Sequence, residues 1–273
     1  MRIQVVLLAL FFACSCKQKD KEKSVSTTLS PTQSADTSAA QQVVDKLSAD
    51  VAKTKSIPAR LHLIDVLDSM KIYDKAIAHL DTLLLKDSKN SELWLRKGQL
   101  HEDSKDTAEA IRSYENAIKI YPSPENQLYL ANLLAEHRDA KALALCNSVA
   151  SMGMGRETDA NCNFIAGVYF SRTGNAKRAL QLFDKAINDN YTLMEAYMEK
   201  GFIYYDHKNY RQAMRTFETA ITINNQYADA YYWKAKCLEA MGNKDEAVIN
   251  YKRAAGLDKQ MNEAAQAIKR LSS

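Results

Sequence analysis

The sequence predicts an all-α solenoid, a stack of about six helix–turn–helix repeats closed by a capping helix at each end. Three observations carry this. Between Met194 and Met261 two blocks of 34 residues repeat each other: Tyr197, Gly201, Tyr204, Ala213, Phe217 and Ala220 are answered 34 residues later by Tyr231, Ala235, Leu238, Ala247, Tyr251 and Ala254. A matching alanine recurs along the chain as Ala76, Ala110, Ala142, Ala179, Ala213 and Ala247. The composition is that of a helix-rich globular chain, with 8 Gly and 4 Pro in 273 residues, 46% hydrophobic and 26% charged. A fixed period of this length marks units that bury their apolar faces only by stacking on neighbours.

The N-terminus reads as a targeting segment. Arg2 precedes the apolar run Ile3–Ala13, which is too short to span a bilayer but suits a signal-peptide core. Polarity then changes at Cys14-Ser15-Cys16-Lys17, and an apolar run ending in a small residue and Cys resembles the lipobox of bacterial lipoproteins. That resemblance implies acylation of the cysteine and cleavage before it. Two acyl chains or more would hold a protein stably to a membrane. Cys14 and Cys16 compete for the role; Cys16 is favoured because Ser15 precedes it and the charged run Lys17–Lys23 follows. A simple cleaved signal with chance cysteines is the alternative. Residues 1–16 are therefore assigned to the signal. Residues 17–38, rich in Lys, Ser, Thr and Gln with almost no apolar residue, are assigned to a disordered tether.

The folded body is expected over 39–273. Ala39–Lys53 forms an amphipathic capping helix through Val43, Val44, Leu47 and Val51. Six repeats follow, near 57–90, 91–124, 125–159, 160–193, 194–227 and 228–261, and a C-terminal capping helix over 262–271. Numbering each repeat 1 to 34, the recurring alanine is position 20. Position 24 is bulky in all but one repeat: Leu80, Tyr114, Cys146, Phe183, Phe217 and Tyr251. Position 8 is small as Gly98, Gly167, Gly201 and Ala235, which implies close helix contact, since glycine otherwise weakens a helix. Lys105-Asp106, Gly174-Asn175, Lys208-Asn209 and Gly242-Asn243 mark turns between paired helices. The third repeat breaks the period, with 32 residues from Ala110 to Ala142 and 37 from Ala142 to Ala179. Its extra residues are placed in a loop, Ser151–Asp159. The irregularity suits either a two-block solenoid or drift without consequence, and drift is preferred.

These repeats resemble the tetratricopeptide repeat. The resemblance implies a right-handed superhelix whose first helices line a concave groove, and a protein-binding rather than a catalytic role. No carboxylate-clamp pattern is present: the relevant places hold Leu61 and Asp65, Leu95 and Gln99, then Met198 and Phe202. The groove positions implied by the family are instead acidic, including Asp65, Asp68, Glu102, Glu199 and Asp206, with only Arg96, Arg172 and Lys236 basic. From the fourth repeat they are also apolar, with Phe164, Val168, Met198, Phe202, Tyr205, Tyr232 and Trp233. Exposed aromatics of this kind serve as protein-binding anchors. The bland reading is that several of these side chains pack inside and the acids solvate a helix face.

Nothing in the sequence forms a catalytic or metal-binding constellation. His62, His79, His101, His137 and His207 are scattered, and no H-x-x-x-H, C-x-x-C or phosphate-binding glycine motif occurs. No cofactor, metal, nucleic acid or small-molecule substrate is expected, and the net charge of +4 is too balanced to imply nucleic acid. The expectation is a non-catalytic adaptor of the bacterial cell envelope, lipid-anchored with the outer membrane favoured. It would bind a protein or peptide segment that is basic with apolar anchors. A glycan-binding lipoprotein using the same aromatics is the alternative.

If Cys16 carries the lipid, Cys16→Ala shifts the protein from the membrane fraction to a soluble or unprocessed pool. Release by Cys14→Ala instead moves the site by two residues, and indifference to both changes ends the lipoprotein reading.

Overall fold

A computed structural model describes residues 31–272; the proposed signal, Cys16 and the first part of the tether lie outside the described residues. Fourteen helices and no strand occur among them. The first, α1 (Pro31–Thr54), starts eight residues before the expected Ala39, so residues 31–38 are helical and the tether assignment is corrected there. The physical reason is ordinary: proline is tolerated in a first helical turn, and no other proline or glycine interrupts the stretch that follows.

Then come α2 (Ile57–Ser69), α3 (Tyr73–Leu84), α4 (Ser91–Asp103), α5 (Thr107–Ile120), α6 (Pro124–Glu136), α7 (Lys141–Ala150), α8 (Arg156–Arg172), α9 (Ala176–Asp189), α10 (Met194–Asp206), α11 (Tyr210–Ile223), α12 (Ala228–Ala240), α13 (Lys244–Leu257) and α14 (Asn262–Leu271). The first helices of the six repeats begin at or within a few residues of the expected starts. Several starts are fixed by caps: the Ser56, Asn90 and Ser123 side chains accept hydrogen bonds from the backbone N–H of Ala59, Leu93 and Asn126. In the irregular third repeat the extra residues do not all form a loop. Arg156–Asp159 add a turn to α8, with Glu157 and Asp159 favourably placed at its N-terminus, and only Ser151–Gly155 remain outside helix.

The turn inside every repeat has one geometry. Lys71, Lys105, Arg138, Gly174, Lys208 and Gly242 all have positive φ, from 58° to 87°. At each, the following residue donates its N–H to the carbonyl five residues back, as in Asn175 to Phe170 and Asn209 to Tyr204, closing a Schellman cap.

The chain divides into two compact units, Met1–Asp106 and Thr107–Ser273, and the boundary falls within the second repeat rather than at the irregular third. The first unit is centred on Leu63, Ile64, Leu67, Ala76, Leu80 and Leu100, with Val44 and Val51 of α1 packed in. Val43, expected in that stripe, is 48% exposed. The second unit stacks α5 to α14, ending with Ala264 and Ala267 of α14 on the last repeat. All six position-20 alanines are fully buried. So are Leu80, Tyr114, Phe183 and Phe217 at position 24, while Cys146 and Tyr251 are nearly so.

Position 8 has a steric explanation. A Cβ on Gly167 would stand 2.6 Å from the Phe183 ring, and one on Gly201 would collide with Phe217. Gly256 in α13 has open space around it. Gly201→Ala should therefore destabilise by about 1–3 kcal/mol through overpacking, although alanine is the better helix former. Gly256→Ala should stabilise by up to about 1 kcal/mol. Chemical denaturation of both variants checks the opposite signs; a gain at both would mean that Phe217 yields freely.

Candidate partner-binding face

The polar residues on the first helices are largely committed to neighbouring repeats. Three carboxylates at position 12 are pinned by an arginine of a following helix. Asp68 takes Arg96 at 2.8 Å, with Asp65 on the same guanidinium at 3.0 Å. Glu136 takes Arg172 at 2.7 Å, and Glu239 takes Arg270 of the capping helix at 2.6 Å. Arg172 also holds Glu199 through two hydrogen bonds of 2.8 Å, so one guanidinium on α8 joins α6 to α10. Burial works against the charge on Arg172, but the hydrogen bonds and charges of Glu199 and Glu136 hold it firmly protonated. Burial pushes the Glu136 carboxyl up despite that arginine.

A second recurring pair joins position 7 to position 25 of the preceding repeat: Lys97 to Asp81, Lys200 to Asp184 and Lys234 to Glu218, at 2.6, 2.5 and 3.0 Å. Position 4 supplies a third. The Trp94 indole and the Tyr197 and Tyr231 hydroxyls each donate to a backbone carbonyl six residues earlier, those of Ser88, Tyr191 and Asn225. In the third repeat Asn126 and Gln127 donate instead to the carbonyls of Tyr121 and Pro122.

The expected partner residues thus separate into three groups. Phe164, Val168 and Met198 are corrected to core positions: they are 4%, 0% and 5% exposed, and Phe164 packs on the Phe183 ring. Being apolar on the first helix did not make them accessible: the Phe183 ring on the paired second helix packs against Phe164, and all three side chains are buried. Asp65, Asp68 and Glu199 face arginines of this chain, which reduces the charge they offer to a partner. Glu102 is partly buried, and Asp206 is exposed at the end of α10. Other groove acids, Glu92, Glu195 and Asp229, stand in the first turn of α4, α10 and α12, where they balance the helix dipole. Asp65, Asp68 and Glu102 lie in the first unit and the remaining candidates in the second.

Phe202, Tyr205, Tyr232 and Trp233 do come together, on α10 and α12, and all four are partly buried. The Trp233 ring lies 4.7 Å from Phe202, 5.4 Å from Tyr205 and 5.9 Å from Tyr232, the two tyrosines meeting it edge to face. Lys236, one turn along α12, places its ammonium 4.3 Å from the centre of the Trp233 ring.

Sequence reasoning missed a cleft of about 390 Å³ in the first unit, lined among others by Ile57, Leu61, Leu93, Asn90 and Arg96. Ile57 and Leu61 are 53% and 38% exposed at its edge. No periodic signal marks it: position 5, where Leu61 stands, is apolar or aromatic in every repeat, so the pattern does not single out the exposed one. Among the described residues no group of three or more His, Cys, Asp or Glu side chains gathers as a metal site would require, and no helix is long and apolar enough to cross a membrane.

Sequence-family models of the tetratricopeptide repeat match residues 71–125 and 204–271. Among solved structures, a tetratricopeptide repeat protein from Parabacteroides merdae ATCC 43184 is similar, with a TM-score of 0.68 at 15% identity, covering 89% of this chain and 96% of that one. PilW, a type IV pilus biogenesis factor, aligns with a TM-score of 0.62 at 17% identity over 78% of this chain and 97% of its own. Yeast Tom70 aligns with 0.59 at 15% identity, over 86% of this chain and 58% of its own. No curated protein sequence matches. These likenesses establish the fold.

Arg172→Met would leave Glu136 and Glu199 close together, mostly buried and without a cation, at an expected cost of about 3 kcal/mol at neutral pH. Burial already pushes the Glu136 carboxyl up in the folded protein, and loss of the arginine, which lowers it, would push it further. A carboxyl raised in this way stabilises the fold at low pH and loses that contribution as pH rises. The deficit against the parent protein should therefore shrink between about pH 7 and pH 5 in urea melts; a deficit independent of pH would show the two carboxylates to be solvated.

Proposed function

We propose that this chain, which carries tetratricopeptide repeats, is a non-catalytic interaction scaffold, lipid-anchored through Cys16 in a bacterial cell envelope. It recognises a protein segment with basic residues and one or two apolar anchors. The observation that carries the binding half of this reading is the cluster of Phe202, Tyr205, Tyr232 and Trp233 on two successive first helices, beside the exposed Asp206. Partly buried aromatics held rigid by one another lose little entropy when a partner covers them, and such residues dominate binding energy at interfaces. Charge has a smaller part. Many first-helix carboxylates already face arginines of this chain, so acids such as Asp206 would steer a basic segment and their effect would weaken with salt. The anchoring half rests on the sequence alone, on the run Ile3–Ala13 and the cysteine that ends it. A glycan ligand would stack on open aromatic faces, whereas here the rings pack against one another and a lysine covers Trp233, which favours a protein partner.

Site-resolved photo-crosslinking tests this. A photoreactive residue replacing Tyr232 in the full-length protein should give one dominant protein adduct in cells, which disappears on adding Tyr205→Ala. The same residue at Gln181, exposed on a second helix, should give none. Adducts from Gln181 but not from position 232 would place recognition on the opposite face and overturn the proposal.

A further inference from the structure

The lysine on the aromatic cluster is unlike the others on these helices. Lys97, Lys200 and Lys234 each reach a carboxylate of the preceding repeat. Lys236 does not: among the described residues no carboxylate comes within 4.0 Å of its ammonium. Its company is three rings, with centres 4.3 Å away at Trp233, 5.5 Å at Tyr205 and 5.8 Å at Tyr232. Tyr232 and Trp233 precede it by one turn on α12 and Tyr205 faces it from α10, so the rings enclose it from two helices. Asp206 and Glu239 are near enough for their charges to favour the ammonium, while burial disfavours it more strongly and lowers its pKa. An ammonium that gives up water without gaining an ion pair is held by the ring faces, the attraction that aromatic cages use on cationic ligands.

We infer that Tyr205, Tyr232 and Trp233 form a cation-binding cage in which Lys236 is a built-in occupant, and that a lysine side chain of the partner segment takes the same place when Lys236 swings out. This rests on the proposed reading of the aromatic face and names the chemistry of its anchor. Lysine fits the role of a displaceable occupant. Its stem has four rotatable carbons, and its head can return to water near Asp206, which is exposed at the mouth. The cage is thus self-capped: the chain covers its own binding surface with the same group that the ligand brings. Covering it also keeps a Trp-centred aromatic patch from open solvent when no partner is present.

The test removes the occupant and supplies a small replacement. The sequence has two tryptophans, so Trp94→Phe leaves Trp233 as the only indole reporter. In that background, Lys236→Met keeps an apolar stem of similar length and removes the charge. The probe is acetyl-lysine methylamide, with the uncharged acetyl-norleucine methylamide as control. Lys236→Met should bring the half-saturating concentration for Trp233 quenching down by about tenfold, with no saturable response to the norleucine compound. Lys236→Arg, which keeps a cation in place, should show no such gain. Adding Tyr205→Ala to Lys236→Met should abolish the response, with folding verified by circular dichroism; Lys236→Gln serves as the second uncharged form if the methionine variant melts early. Equal half-saturation with and without Lys236, or an equal response to norleucine, overturns the self-capped cage. The crosslinking result at Tyr232 is separate. Adducts there with no lysine response would leave the scaffold reading standing and remove only the cage.

Discussion

The structure depends on how closely the two helices of a repeat approach each other. Position 20 is alanine six times and fully buried six times. A larger side chain at a site with no exposed surface would have to displace what packs around it. In the fourth and fifth repeats the approach is closer still, with Phe183 and Phe217 lying over the bare backbone of Gly167 and Gly201. Each aromatic ring thus fills the space that a missing Cβ leaves, and the dense packing of the stack follows from matching absences to rings. Once helix pairs are built this way, each presents an apolar edge that only the next repeat or a capping helix can cover.

Successive repeats are then joined by polar contacts that recur with the period. An arginine reaches back to a position-12 carboxylate, a position-7 lysine to a position-25 carboxylate, and a position-4 aromatic to a loop carbonyl. Surface ion pairs taken singly contribute little. The Arg172 pair of bidentate contacts differs, because it is mostly shielded and spans three helices. Where these contacts recur they also neutralise part of the charge that a groove would otherwise show. Position 12 holds Ser171 and Tyr205 in the fourth and fifth repeats, where no arginine can be recruited, and the aromatic cluster lies beside the second of these. At the candidate face the position-12 pairing lapses, while the position-7 and position-4 contacts persist through Lys200, Lys234, Tyr197 and Tyr231.

The turns show how tolerant the architecture is of sequence. Lys71, Lys105, Arg138 and Lys208 adopt the left-handed conformation that Gly174 and Gly242 adopt at lower cost. The capping hydrogen bonds are the same in all six, so the geometry is imposed by the closing of the helix end. The long third-to-fourth connection follows the same logic. Extra residues were absorbed by lengthening α8 at its N-terminus, where Glu157 and Asp159 suit the dipole, leaving the turn at Gly174 and the alanine at 179 in register.

The sequence by itself determined the helix-pair period, the six alanines, the bulky side chains at position 24 in all but one repeat, and four of the six turn sites, because the demand for a small or a bulky side chain recurs at a nearly fixed spacing. It determined as well that Phe202, Tyr205, Tyr232 and Trp233 fall on the first helices. Only the tertiary structure decided which first-helix residues are accessible. Phe164, Val168 and Met198 share the periodicity of the candidate face, yet the fold buries them, and a periodic pattern does not say how much of a helix face the packed helices overlap. The fate of the charges was likewise undecided: Asp68, Glu136, Glu199 and Glu239 find arginines whose sequence separations differ from pair to pair. The seat of Lys236 among three rings depends on α10 and α12 lying side by side, which no single helix encodes.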